Sequence, residues 1–203
     1  MKRQTNENLN TPSAYDDIFT NVLKRDKDFD RSVDRKHKVI LEKFNGGKLI
    51  DIGCLNSPLC IMAKEKFPDA DITLLDFSPA VIDFYNKNYG FKTILADCRN
   101  IPVPDNTFDY AVAEEVLEHL ENPEELIKEA IRILKPGGIF AVSTPYDESN
   151  NICGGGYHIW SFVDLDIKSM FEKYGEAEVN IFTRGDQRYY IVGYLKKLGS
   201  GTH

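Results

Sequence analysis

The chain has 203 residues, 42% of them hydrophobic and 28% charged, which suits one globular domain with a proper core and room for a small extension. The net charge of -7 argues against a broad nucleic-acid surface. Residues 1–44 hold ten Lys/Arg and eight Asp/Glu, or +2, and the remaining fifteen and twenty-four give -9; the basic excess at the front is too small for a nucleic-acid arm. No apolar run approaches the roughly 20 residues needed to span a membrane. The polar start lacks the apolar segment of a signal peptide. The four cysteines, Cys54, Cys60, Cys98 and Cys153, form no C-x-x-C pair, which fits neither a zinc site nor a disulfide framework. Free thiols in a reducing cytosol are expected, and with them a cytoplasmic protein.

Taken in order, residues 1–13 are polar and expected to be mobile. Tyr15, Ile18, Phe19, Val22 and Leu23 then form one helical stripe. A second helix is expected from Asp30 to Phe44, with Val33, His37, Ile40, Leu41 and Phe44 on one side and Asn45-Gly46-Gly47 ending it. These helices either cover the open end of a sheet or pack on its flank. Residues 1–30 are read as a polar segment with a cover helix, 31–197 as the main domain and 198–203 as a flexible tail.

Leu49, Ile50 and Ile52 make a short apolar strand of the kind covered on both faces. Gly53 permits a turn, and Ser57-Pro58 starts a helix that must stop before Pro68. The next strand runs from Asp71 to Asp76, and Ser78-Pro79 caps a helix closed by Gly90. Strands follow at Phe91–Ala96 and Phe108–Ala113, the latter leading into Glu114-Glu115. Asn122-Pro123 caps a helix with Leu126, Ile127, Ala130, Ile131 and Leu134 facing the core. Lys135-Pro136-Gly137-Gly138 is expected to turn into a fifth strand, Ile139–Thr144. Residues 145–160 hold no clear element. Ser161-Phe162-Val163-Asp164 has the form of a capping box, for a helix ending at Gly175. Two last strands flank Arg184-Gly185-Asp186-Gln187 as a hairpin. The alternation predicts an α/β, Rossmann-like, doubly wound and mostly parallel sheet of about seven strands with a C-terminal antiparallel hairpin.

In such a sheet Asp51, Asp76, Asp97 and Glu114-Glu115 lie toward one edge. Their repulsion is costly unless a cation or a hydroxyl-rich ligand sits among them. The turn lacks G-x-G-x-x-G and there is no phosphate-binding lysine loop, which disfavours an NAD-dependent enzyme or a nucleoside triphosphate. A phosphate-free nucleoside remains.

The order of these motifs resembles the class I S-adenosylmethionine (SAM)-dependent methyltransferases of the small-molecule, type 11-like branch. The resemblance rests on Asp51-Ile52-Gly53-Cys54, Asp76-Phe77-Ser78, Asp97-Cys98, the stretch from Phe108 to Leu120, and Leu134 to Gly138. It covers residues 35–195 in order and spacing. It implies that Asp51, Gly53, Cys54, Asp76, Phe77, Asp97, Cys98 and Glu114 line a SAM site. Asp76 would accept from the ribose hydroxyls, Phe77 would lie against the adenine face and Asp97 would meet the adenine amine. Cys98 has packing as its alternative role. Leu55 and Ser57 stand where that family has glycines, so Leu55 is expected to narrow the methionine end.

The expected reaction is methyl transfer to an oxygen or nitrogen of a small molecule. The alternative is a non-catalytic SAM-binding module or an inactive partner subunit. His119, His158 and Glu115 are the candidate catalytic groups. If helical, Glu115, Glu118 and His119 share one face through their spacings of three and four, and with His158 they resemble a metal motif of ubiquinone-pathway and small-RNA 2′-O-methyltransferases. An oxygen-rich set there would favour Mg or Mn. Many metal-free relatives carry the same letters, and the reading does not require a metal. The loop 145–160, with Tyr146, Asp147, three glycines, Tyr157, His158 and Trp160, is read as an acceptor-side lid; the alternative is a surface loop with Trp160 anchored in the core. The acceptor's identity and the oligomeric state are open.

Overall fold

The structure, a computed structural model, describes residues 1–5, 8–25, 35–55, 58–147, 157–184 and 187–199. The expectations placed on Val33, Ser57, Cys153, the glycines 154–156, the tip of the last hairpin and the end of the tail lie outside them.

The elements run β1 (Lys2–Arg3), α1 (Pro12–Arg25), α2 (Arg35–Ile40), β2 (Lys48–Ile52), α3 (Leu59–Lys66), β3 (Asp71–Asp76), α4 (Pro79–Asn88), β4 (Lys92–Leu95) and β5 (Phe108–Glu114). A 3-10 turn (Leu117–His119), α5 (Pro123–Ile133), β6 (Leu134–Pro145), β7 (Trp160–Ser161), α6 (Asp164–Phe171), β8 (Gly175–Arg184) and β9 (Gln187–Lys197) follow. Seven strands form one sheet in the order β4-β3-β2-β5-β6-β9-β8. The pairs from β4 to β6 are parallel, and β9 runs antiparallel to both β6 and β8. This is the doubly wound sheet with a terminal hairpin that the alternating pattern predicts.

Each face of the sheet carries its own core. Leu126, Ile127, Ala130 and Ile133 of α5 and Ile167, Met170 and Phe171 of α6 cover one side. Phe19 of α1, Ile40 of α2, Leu59 and Ala63 of α3, and Val81 and Tyr85 of α4 cover the other. The expected helix starts follow from their caps. Ser78 Oγ accepts from Val81 N at 3.3 Å, and Asn122 Oδ1 accepts from Glu124 N at 3.3 Å.

Several elements depart from the sequence pattern. The second helix is short, since its described part ends at Ile40 rather than Phe44. Tyrosines of the sheet hold its final turn: Tyr110 Oη donates to Ile40 O and Tyr194 Oη to Val39 O. Residues 134–138 are not a separate turn but the irregular start of β6. Phe108 pairs with Leu134 and Tyr110 with Ile139, so the extra residues bulge out and Gly137 takes φ +80°. The capping box slips by two residues. Val163 N donates to Asp166 Oδ2 at 3.0 Å, so the helix begins at Asp164. The amino terminus is not loose: β1 pairs with β7, and Gln4 N donates to Ile159 O at 2.7 Å. Neither two-residue strand has a periodicity that a sequence could reveal.

Removing the Tyr110 hydroxyl leaves the Ile40 carbonyl without its partner in a dry site. We expect Tyr110→Phe to lower unfolding free energy by about 1–2 kcal/mol. Urea denaturation measures this, and an unchanged midpoint would contradict the role given to that bond.

Candidate active site

The carboxyl ends of the parallel strands open into a cavity of about 800 Å³. Gly53, Asp76, Phe77, Asp97, Cys98, Glu114, Glu115 and His119 line it, together with Cys54. Its first wall is the turn after β2. Gly53 has φ +72°, and a Cβ there would stand 2.7 Å from Val116 Cγ2, so the position admits only glycine without a shift. Cys54 offers its backbone, while its buried side chain belongs to the core behind the turn. Leu55 lines the cavity at φ +30° and donates its N–H to Asp76 Oδ2 at 3.0 Å.

Asp76 ends β3. Its Oδ1 accepts from Ser78 N at 2.9 Å, so backbone amides hold both oxygens of a residue that lines the cavity. Burial pushes its pKa up despite these bonds. Phe77 follows, its ring 5.1 Å edge-on from Tyr15. Asp97 sits on the outer rim. The Arg99 guanidinium, with Nε 2.9 Å from Asp97 Oδ1, holds that carboxyl below its usual range. Burial pushes the neighbouring Cys98 thiol up to about 12, so it is uncharged, and it both lines the cavity and packs on the core.

Asp51 does not line the cavity as its place in the pattern suggests. It stands one residue from the end of β2, but its side chain is buried behind the cavity wall, 1% exposed, and it is not among the cavity-lining residues. Neither of its oxygens meets a hydrogen-bond partner among the described residues. Burial and the charges of Glu114 and Asp76 push its pKa well up. Glu114 has the opposite environment. Lys36 Nζ is 2.8 Å and His37 Nε2 2.9 Å from its Oε1. Burial raises this carboxyl, but the bond from His37 and the Lys36 ammonium outweigh that and bring it down to about 2.

Beyond β5 the chain turns sharply, with Glu115 at φ +54°. Glu115 Oε1 accepts from Ser143 Oγ at 2.9 Å and faces Lys36 Nζ at 3.3 Å. Residues 117–119 then form a 3-10 turn, so the helical spacing that would bring Glu115 beside Glu118 and His119 does not hold. Glu118, His119 and His158 instead come together, with ligand atoms all within 4.8 Å of one another. Glu118 is 1% exposed and its Oε2 accepts from Thr144 Oγ1 at 3.1 Å. His119 Nδ1 lies 3.0 Å from Tyr157 O, a contact that requires the proton on Nδ1 because a carbonyl oxygen only accepts. His158 stacks edge-on behind His119 at 4.7 Å and is not among the lining residues.

The cover over this cavity was not evident as site residues in the sequence. Asn10 Nδ2 donates to His119 O at 3.1 Å and Tyr157 O at 2.9 Å, and its Oδ1 accepts from Tyr15 Oη at 3.0 Å. Asp16 fastens α1 to the start of α4 by accepting from Ser78 Oγ and Ala80 N. Lys36 and His37 reach in from α2. Tyr15 and His37 gave one signal, polar tips on otherwise apolar stripes; Asn10 gave none. Trp160 packs against the 3-10 turn, its Nε1 donating to Leu120 O at 2.9 Å.

The methyltransferase-domain family model matches residues 50–142. Malonyl-acyl-carrier-protein O-methyltransferase of Hahella chejuensis is 27% identical over 150 residues, covering 69% of this chain and 52% of its own. Demethylmenaquinone methyltransferase of Chlamydia trachomatis serovar L2 is 32% identical over 93 residues, 44% of this chain and 41% of its own. The chain therefore spans about half the length of the curated relatives it matches. Among solved structures, 1,6-didemethyltoxoflavin-N1-methyltransferase of Burkholderia thailandensis superposes with TM-score 0.70 at 13% identity, over 96% of this chain and 93% of that one. Residues 50–142 thus match a methyltransferase domain, and the fold is that of a solved methyltransferase. No helix among the described residues is long and apolar enough to cross a membrane.

Asp51 gives a pH dependence with a definite sign. An acid whose folded pKa is raised keeps its proton in the folded state while the unfolded chain has lost it. Stability therefore falls as pH rises above about 4 toward the folded value. Asp51→Asn removes that dependence. Thermal melts of cofactor-free protein from pH 5 to 9 should give a melting-temperature gap in favour of the variant that widens with pH. A gap constant with pH would refute the assignment.

Proposed function

We propose that the chain is a methyltransferase that uses SAM to methylate an oxygen or nitrogen of a small molecule. The observation that carries this reading is Asp76, a buried carboxylate at the end of β3 that lines the cavity beside Phe77 and is held there by backbone amides. SAM supplies the methyl group as a sulfonium, already a good leaving group. The chain's residues bind and orient. Asp76 accepts from the ribose hydroxyls, Phe77 lies against the adenine face and Asp97 stands at the adenine edge. The buried, unpaired Asp51 behind the Gly53 turn is neutral in the empty site and is poised to ionise when a cation sits beside it. Cover residues from α1 and α2 exclude water. His119 lines the cavity, its ring oriented by the Tyr157 carbonyl, and takes the acceptor's proton as general base. Methyl transfer fits the relatives' printed activities, and the acceptor differs among them.

Calorimetry with S-adenosylhomocysteine tests the reading. We expect binding to the native protein and at least about tenfold weaker binding to Asp76→Ala, since a charged hydrogen-bond acceptor is lost. No binding to the native protein would refute the proposal. Binding without turnover of SAM across a metabolite panel would favour the non-catalytic module.

A second reading is favoured by the cluster of Glu118, His119 and His158. The residues fit a divalent cation: one carboxylate and two imidazoles converge, and the Tyr157 carbonyl fixes the His119 tautomer as a second-shell partner does. Without Glu115 the set is less oxygen-rich than the sequence suggests. It suits zinc, iron or manganese better than magnesium. A cation there would polarise an acceptor oxygen. Titration with Zn(II), Mn(II) and Mg(II) should give saturable binding in that preference, abolished by His158→Ala; no binding of any of the three would remove the metal.

A further inference from the structure

At the hairpin side of the cavity, the ends of β6, β8 and β9 carry a run of aromatic rings. Phe182 and Tyr190, opposite each other in the β8–β9 ladder, stack at 4.9 Å with their planes 14° apart. The Tyr190 ring meets Tyr189 at 5.7 Å, and Tyr189 is 54% exposed. Tyr189 O in turn accepts from Tyr146 N at 3.1 Å, which brings Tyr146 to the same end.

Cations lie on these rings. The Arg35 guanidinium carbon is 5.5 Å from the Phe182 centroid, and that of Arg188 is 5.1 Å from Tyr146, whose hydroxyl it also meets. Lys36 Nζ lies 5.7 Å from Tyr190 and continues into the cavity, where it pairs with Glu114. Arg35 and Arg188 are both exposed, and neither has a carboxylate partner among the described residues. In a chain of net charge -7 that is unusual: Arg3, Arg99 and Arg132 each pair with an acid. A guanidinium lying on a ring keeps its N–H edge free and loses little freedom when it meets a planar anion.

We propose that this rim binds the anionic end of the methyl acceptor, a flat ring system bearing a carboxylate or phosphate. The rings take its face, and the two arginines take its oxygens by forked hydrogen bonds. Lys36 marks the way from the rim to the transfer site, so the reactive atom of such an acceptor points inward while its charge stays outside. The assignment rests on the cavity being the transfer site, but the rim is tested apart from it. Neither Arg35 nor Arg188 lines the cavity.

The experiment titrates the protein, with and without S-adenosylhomocysteine, using 1-naphthoate, 1-naphthyl phosphate and neutral 1-naphthalenemethanol. We expect one of the two anions to bind at least about tenfold more tightly than the alcohol, and the better of them names the acid group. Arg35→Gln and Arg188→Gln should each weaken it by about tenfold. Arg35→Lys should recover only part, because charge returns without the fork. Affinity for S-adenosylhomocysteine should be unchanged in all three variants. An alcohol that binds as well as the anions, or arginine variants that bind like the native protein, would overturn the proposal. Failure of S-adenosylhomocysteine to bind while the anions still do would instead remove the methyltransferase reading and leave the rim site standing.

Discussion

Three buried carboxylates crowd one end of the sheet, and the site is built around the cost of keeping them there. Asp51, Asp76 and Glu114 raise one another's energy as charges, and each is treated differently. Glu114 is charged and compensated by Lys36 and His37. Asp76 is held by two backbone amides. Asp51 has no partner among the described residues and is driven toward its neutral form. A strand packed for stability alone would put an apolar residue at position 51. The arrangement makes sense when a cation completes it, because only then does the negative potential lower the energy of the whole.

The same constraint explains why helices from the front of the chain belong to the site. The described part of α2 is six residues long. It is kept by Ile40 in the core and by two tyrosine hydroxyls on its last carbonyls, and it delivers Lys36 and His37 to Glu114. α1 is tied at Asp16 to the cap of α4 and through Tyr15 to Asn10. The amides that position Asp76 and the side chain that fastens α1 thus converge on one residue, Ser78: its N–H serves Asp76 and its hydroxyl serves Asp16.

The sheet was legible because its signals are local and periodic. Apolar strands such as Leu49–Ile52, proline starts after Ser78 and Asn122, and the order of the acids all follow from neighbours in sequence. The cavity wall from Asp76 to Cys98 could be read for the same reason, being made by strand ends. What escaped depends on distant contacts. Asn10 joins His119 and Tyr157 across more than a hundred residues of chain, and nothing about an asparagine in a polar stretch announces that. Glu115 was misjudged as a neighbour of Glu118 because helical spacing was assumed where the chain takes a left-handed residue and a 3-10 turn. Asp51 stands one residue from the end of β2, as the strand pattern suggests, but its side chain is buried behind the cavity wall, which strand ends alone do not reveal.

The turn after β2 shows how a departure from the family's glycines can be absorbed. Leucine at φ +30° costs about 1–2 kcal/mol relative to an ordinary conformation. That conformation also aims the Leu55 amide at Asp76, a bond to a buried carboxylate that contributes on a similar scale, about 1.5–3 kcal/mol. The strain and the bond are therefore of one size, and the turn persists without a second glycine. Gly53 has no such exchange available, since its restriction comes from the Val116 side chain rather than from the backbone alone. The first glycine is thus fixed by packing, while the second position is free to carry a side chain into the cavity. There Leu55 lines the cavity beside Asp76, so one residue supplies both the amide that holds that carboxylate and part of the wall.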